Sequence, residues 1–199
     1  MPVTLTFDNG PAPGTTDVVL DILRDRGVPA TFFVVGDMLR RDGARALAER
    51  AVAEGHWVGN HTLTHTTPLG ERPDPEYARR EIEEAQALIG DLSHERRFFR
   101  PAGGGGHLGP HLLSPAATEI LRQGGYTCVL WSSVPRDWED VEAWVDTALD
   151  DVDRLDHAVV VLHDLPTGAM DALPRFLDML ERRGVDIVQD FPADVLVAT

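Results

Sequence analysis

The chain contains no lysine; all 18 of its basic residues are arginine. Catalysis through a lysine Schiff base is therefore excluded. A single cysteine, Cys128, rules out an intrachain disulfide. It lies in the apolar run 126–131 and reads as a buried, inert thiol. No stretch of 18 apolar residues is present, so no membrane-spanning helix is expected. No charged segment followed by an apolar one precedes the first apolar run at 3–7, and a cytoplasmic location is the expectation. Positive charge is also scarce: 33 acidic residues leave a net charge of −15. A field of that sign repels phosphate backbones and anionic lipid, so neither nucleic acid nor a membrane surface is an expected partner.

What the chain does have is a regular alternation. Its 199 residues suit one domain, 1–199, with a sizeable core. Apolar runs of β type fall at 3–7, 30–35, 56–59, 97–100, 126–131, 158–162 and 185–188. Amphipathic stretches lie between them at 16–26, 44–54, 74–89, 114–124, 140–152 and 170–183, most of them followed by a glycine. This pattern predicts an α/β fold with mainly parallel strands, either a closed or nearly closed barrel or an open doubly wound sheet. The strands are near-continuous apolar runs, as expected when both faces are covered.

Sites in parallel α/β folds form at the carboxyl ends of strands. Polar residues gather at five such ends: Asp8 and Asn9, His61 and His65, Arg100, Asp137 and Trp138, and His163 and Asp164. Singly, each has a plain structural explanation, such as a turn, a core histidine or an ion pair. A set on five strand ends is hard to explain by stability alone, because buried charges need partners. His61 and His65 are spaced i, i+4 and could meet one cation, or could be two surface histidines. His107 and His111 share that spacing inside a glycine-rich loop.

Five motifs, in order along nearly the whole chain, resemble those of the polysaccharide deacetylases, the family with the NodB-homology domain. Thr6-Phe7-Asp8-Asn9-Gly10-Pro11 is similar to the first, usually TFDDGP. Asn60-His61-Thr62-Leu63-Thr64-His65 is similar to the second, Phe99-Arg100-Pro101 to the start of the third, Asp137-Trp138 to the fourth, and Val161-Leu162-His163 to the fifth. The resemblance implies a distorted or incomplete (β/α)7 barrel and a metal-dependent hydrolase that removes N-acetyl groups from an amino-sugar polymer or oligosaccharide. It implies Asp8 as general base, Arg100 as the residue orienting it, His163 as general acid and Asp137 as its partner. His61 and His65 would bind a divalent metal, Zn²⁺ first and Co²⁺ or Ni²⁺ as alternatives. Trp138 and Leu162 would wall the acyl pocket, and the Gly103 N–H would face the oxyanion.

Two positions depart from the family pattern. The third metal ligand, usually Asp, is Asn9, so weak metal binding is expected. The usual Tyr of the third motif is Gly103. Two other functions therefore stand beside the first: a small-molecule amidase or imidase of the same fold, and a weakly catalytic carbohydrate-binding relative.

Overall fold

The computed structural model describes residues 1–197. Its sheet has eight strands: β1 (Pro2–Asp8), β2 (Thr31–Val34), β3 (Trp57–Asn60), β4 (Phe98–Phe99), β5 (Thr127–Val129), β6 (Ala158–His163), β7 (Asp186–Val188) and β8 (Leu196–Val197). The order is β6-β1-β2-β3-β4-β5-β8, parallel throughout except for the antiparallel pair β5 and β8. The eighth strand was not apparent in the sequence.

The sheet curls into a distorted barrel, so of the two predicted architectures the doubly wound one is set aside. Its seam lies between β5 and β6, where a ladder is replaced by one parallel bridge, Ser133 to Val160. The Ser133 N–H donates to the Val159 carbonyl (3.1 Å) and the Val161 N–H to the Ser133 carbonyl (3.0 Å). β7 does not follow β6 around the barrel. β6 pairs with β1 from Val3 to Asp8, so β2 and β7 must share the other edge of β1. β2 takes Thr6 to Asp8 and β7 takes Pro2 to Thr4.

The pleat decides which residues can reach the barrel interior, because successive side chains point to opposite faces. In β1, Val3, Leu5 and Phe7 pack outward against the helices, which turns Thr4, Thr6 and Asp8 inward. In β6, Ala158, Val160 and Leu162 pack outward, which turns Val159, Val161 and His163 inward. The lower interior is closed by Phe33, Phe98, Val129, Val159 and Phe191. The buried Asp8 carboxylate lies at the carboxyl end.

Eight α-helical segments surround the sheet: α1 (Thr16–Arg26), α2 (Gly36–Leu39), α3 (Ala44–Ala53), α4 (Pro75–Arg79), α5 (Ala85–Ile89), α6 (Pro115–Gln123), α7 (Trp144–Arg154) and α8 (Leu173–Arg182). α4 and α6 begin as their sequences dictate. Asp74 accepts from the Glu76 N–H (3.0 Å) and Ser114 from the Ala117 N–H (3.2 Å), each followed by a proline at the first helical position. The predicted helix 74–89 is interrupted by a π-turn, Arg80–Glu84, between α4 and α5. The predicted helix 140–152 starts later, at Trp144, because Asp140 caps a preceding turn by accepting from the Glu142 and Ala143 N–H groups. No helix among the described residues is long and apolar enough to cross a membrane.

Candidate active site

Asp8 ends β1 facing inward and is 3% exposed. A carboxylate so placed requires a partner. Arg100, fully buried, supplies it: its Nη1 donates to Asp8 Oδ1 (2.9 Å) and to Thr6 Oγ1 (2.7 Å). The other guanidinium nitrogens donate to the carbonyls of Val129 (3.3 Å) and Leu130 (3.0 Å), and the plane lies over the Phe33 ring. Burial pushes the guanidinium pKa below its ordinary value, while Asp8 pulls it up. With every edge of the fork engaged, Arg100 holds Oδ1 of Asp8 and leaves Oδ2 toward the cleft.

His61 follows β3. Its Nδ1 lies 2.9 Å from the Arg100 carbonyl, which can only accept. Nδ1 therefore carries the proton and Nε2 is left as a free lone pair, 3.6 Å from Asp8 Oδ2. Burial pushes its pKa down to about 3, so the ring stays neutral. His65, also lowered by burial, stands with its ring 4.8 Å from that of His61. Asn9, with φ of +76°, turns toward the same cleft, and its Oδ1 is buried with no hydrogen-bond partner.

Two neutral imidazoles and an orphaned amide oxygen around one cleft are a donor set that fits a divalent cation. Among the described residues no group of three His, Cys, Asp or Glu side chains is arranged for a metal, so the third donor would be the Asn9 amide.

His163 ends β6 as the register partner of Asp8. Asp137, fully buried, takes both of its donors: Nδ1–H to Oδ1 (2.7 Å) and the backbone N–H to Oδ2 (2.9 Å). Nε2 is left facing the cleft. Burial opposes the imidazolium, but the hydrogen bond and charge of Asp137, helped by Asp8 and Asp164, prevail and raise the pKa above its ordinary 6.5. A raised folded-state value contributes stability that is fully present below pH 6.5 and lost as pH rises through the folded value. If His163 acts as an acid, activity should fall across that same alkaline limb. Asp137→Asn should move the limb to lower pH in a pH–rate profile; an unmoved limb would remove Asp137 from this role.

The cleft has a volume of 180 Å³. Sites that enclose a whole drug-sized ligand typically run to roughly 300–1,000 Å³, and this cleft is smaller. Trp131, Val134, Trp138 and Val161 form its apolar walls, and Gly103, Gly105 and Gly106 its backbone rim. Trp138 is 37% exposed and meets the His163 ring edge to face at 5.0 Å.

Leu162 does not belong to this wall: it is fully buried against the helices, and the pleat that turns His163 inward brings in Val161 instead. His107 and His111 stand outside the cleft. At Gly103, an added Cβ would lie 2.6 Å from the Trp131 ring. Trp131 thus fills the space a side chain there would need, and its Nε1 anchors the glycine loop by donating to the Gly106 carbonyl (2.8 Å).

Asp164 lies behind the site, packed on the Gly10 backbone, with its pKa raised to about 6 by burial. Thr16 Oγ1 accepts from the Ala12 N–H (2.7 Å), so its own proton goes to Asp164 Oδ2 (2.5 Å). This contact ties the end of β6 to the loop carrying Asn9. Trp131 and Val161 were not singled out as site residues from the sequence, although strand parity would have given Val161; Asp164 was noted there only as one of the polar residues at the strand ends.

A parallel barrel with a buried carboxylate–arginine pair, two neutral histidines and an aspartate-backed histidine at its carboxyl end defines a hydrolase-type site. The sequence profile of the Polysaccharide deacetylase family matches residues 1–129. The peptidoglycan-N-acetylglucosamine deacetylase of Bacillus cereus is 32% identical over 94% of this chain and 84% of its own length. A chitooligosaccharide deacetylase of Rhizobium leguminosarum bv. trifolii is 37% identical over 81% and 71%. Among solved structures, a family 4 carbohydrate esterase from Streptomyces lividans in complex with acetate superimposes with a TM-score of 0.78, at 28% identity over 98% of this chain and 96% of its own. A family 4 acetyl xylan esterase from Clostridium thermocellum in complex with a cobalt ion gives 0.75, at 29% identity over 94% and 87%. The chain belongs to the polysaccharide deacetylase family and is a hydrolase acting on carbon–nitrogen bonds other than peptide bonds.

Proposed function

We propose that this site hydrolyses the N-acetyl groups of an amino-sugar polymer or oligosaccharide of the peptidoglycan or chitin type, using a divalent cation held by His61, His65 and Asn9. The observation that carries the proposal is the placing of the two proton-handling residues. Asp8 and His163 are register partners on neighbouring strands and face one cleft, the first braced by Arg100 and the second by Asp137.

A bound cation would act as a Lewis acid toward the acyl oxygen and would acidify a water molecule. Asp8 Oδ2 accepts the proton of the attacking water, with Arg100 fixing the carboxylate's orientation. The Gly103 N–H faces the developing oxyanion; one such donor is typically worth about 3 kcal/mol. His163 Nε2 delivers its proton to the leaving nitrogen, without which an amine is a poor leaving group. Water adds to the acyl carbon and the C–N bond breaks, giving acetate and a free amine. The apolar walls formed by Trp131, Trp138 and Val161 suit the acetyl methyl. The family's activity is tested by assaying acetate and amine released from chitin oligomers, peptidoglycan and small N-acyl amides. Release from the small amides alone would support the amidase alternative, and binding without release the carbohydrate-binding one.

Metal binding has its own tests. His61→Ala and His65→Ala together should abolish stoichiometric metal while the fold persists; elemental analysis showing unchanged metal would contradict the ligand assignment. Asn9→Asp should tighten zinc binding in chelator competition, because a carboxylate adds charge and a better oxygen donor. Positive φ at this position suits Asp as it does Asn. Because Asn9-Gly10 is prone to deamidation, intact mass should first confirm the amide. Equal or weaker affinity in Asn9→Asp would remove Asn9 from the ligand set.

A further inference from the structure

The π-turn between α4 and α5 lies beside the segment that carries His61 and His65. A π-turn inserts one residue into a helix and spoils local hydrogen bonding, and such turns concentrate at functional sites. Here the turn makes two sets of contacts with that segment. The Ile82 carbonyl accepts from Asn60 Nδ2 (2.9 Å), and Asn60 Oδ1 in turn accepts from the Thr62 N–H (2.9 Å). Glu81, in the same turn, is 1% exposed although it is a carboxylate. Its Oε2 accepts from the Thr64 N–H (2.9 Å), both of its oxygens lie 3.0 Å from Thr64 Oγ1, and Arg80 Nη2 donates to Oε1 (3.1 Å).

The segment so held is costly to form. Thr62 and His65 have φ of +69° and +53°, which L-residues with side chains adopt reluctantly. Conformations of this kind persist only where the surroundings over-determine them. The surroundings here are the Asn60 clamp on Thr62, the Glu81 clamp on Thr64, and the His65 N–H donating to Thr62 Oγ1 (3.2 Å).

We propose that Glu81 is a positioning residue for the cation site: through Thr64 it holds the strained segment that presents His65 beside His61. This rests on the metal-binding proposal only for what His65 would hold, not for how the residue is held. The π-turn brings Glu81 and the Ile82 carbonyl to bear on the segment together, locking two of its backbone N–H groups.

The test compares Glu81→Ala, Glu81→Gln and, should the alanine variant fold poorly, Thr64→Val. Each is crystallised metal-free and titrated with Co²⁺ against a chelator. Glu81→Ala should displace the His65 ring from His61 in the crystal and weaken Co²⁺ binding by about 10–100-fold, as losses around metal ligands commonly do. Glu81→Gln can still accept from the Thr64 N–H, so it should restore the ring position and most of the affinity. Thr64→Val should weaken Co²⁺ binding less than Glu81→Ala does, because the backbone clamp remains. An unmoved His65 in the metal-free Glu81→Ala crystal would overturn the proposal, as would equal losses in the glutamine and alanine variants. The crystal comparison decides about Glu81 even if the parent protein binds no Co²⁺, a result that would instead count against the metal-binding proposal.

Discussion

Asp8→Asn is expected to lower kcat for deacetylation by about 10²–10⁴-fold, the range typical of a lost general base. Asn is isosteric with Asp and can still accept from Arg100, so the buried arrangement survives while the group able to take a proton from water is gone. Asp8 is placed for this by two independent constraints. The pleat of β1 turns it inward, because Val3, Leu5 and Phe7 face the helices. The fork of Arg100 then occupies Oδ1 at 2.9 Å and leaves Oδ2 for the cleft. Metal content should change little, since neither His61 nor His65 is touched. Stability should fall, because Arg100 is left a fully buried charge without its counter-ion. The fall should be smaller than in Arg100→Met, since the asparagine still accepts from the guanidinium. The variant is checked by kcat at saturating substrate, with bound metal measured on the same sample. Turnover within a few-fold of the parent would assign the base elsewhere.

Arg100→Met should have the largest effect on stability, about 3–5 kcal/mol, the usual result of leaving one member of a buried ion pair without its partner. Methionine fills much of the space of the arginine stem, so lost packing is a minor part of the change. What remains is the Asp8 carboxylate facing an apolar interior, together with the Val129 and Leu130 carbonyls and Thr6 Oγ1, which lose a donor. The cause can be separated with a double variant. If the loss comes from the orphaned charge, Asp8→Asn combined with Arg100→Met should be more stable than Arg100→Met alone, because neighbouring residues in one network do not add. Denaturant unfolding of the parent, both single variants and the pair measures this coupling. Strict additivity would mean that Arg100 acts through packing and not through Asp8.

The residues that the structure gathers around the cleft were the most legible part of the sequence, and the reason is geometric. A strand buried on both faces still alternates, so Asp8 after Phe7 and His163 after Leu162 point into the barrel once their neighbours pack outward. The same rule corrects Leu162, which shares the parity of Val160 and not of His163. The family resemblance implied it as part of the wall, whereas its adjacency to His163 along a strand puts it on the opposite face.

What could not be read is tertiary in origin. The side of β1 taken by β7 depends on where β2 leaves room, which no local pattern encodes. The π-turn is hidden because residues 75–89 keep a helical pattern throughout, and the inserted residue shows only in contacts with Asn60 and Thr64. The packing of the glycine-rich loop at 103–106 is tertiary as well. Trp131, remote in sequence, packs on Gly103 and anchors Gly106.

The central claim is that this cleft adds water to an acyl carbon and releases an amine. It is tested most directly by running the metal-loaded protein on an N-acetylated chitin oligomer in ¹⁸O-labelled water and analysing both products by mass spectrometry. The account predicts acetate carrying one labelled oxygen, a free amine on the sugar, and an oligomer of unchanged length without label. Label in the sugar, a shortened oligomer, or no acetate from any N-acetylated saccharide would contradict it.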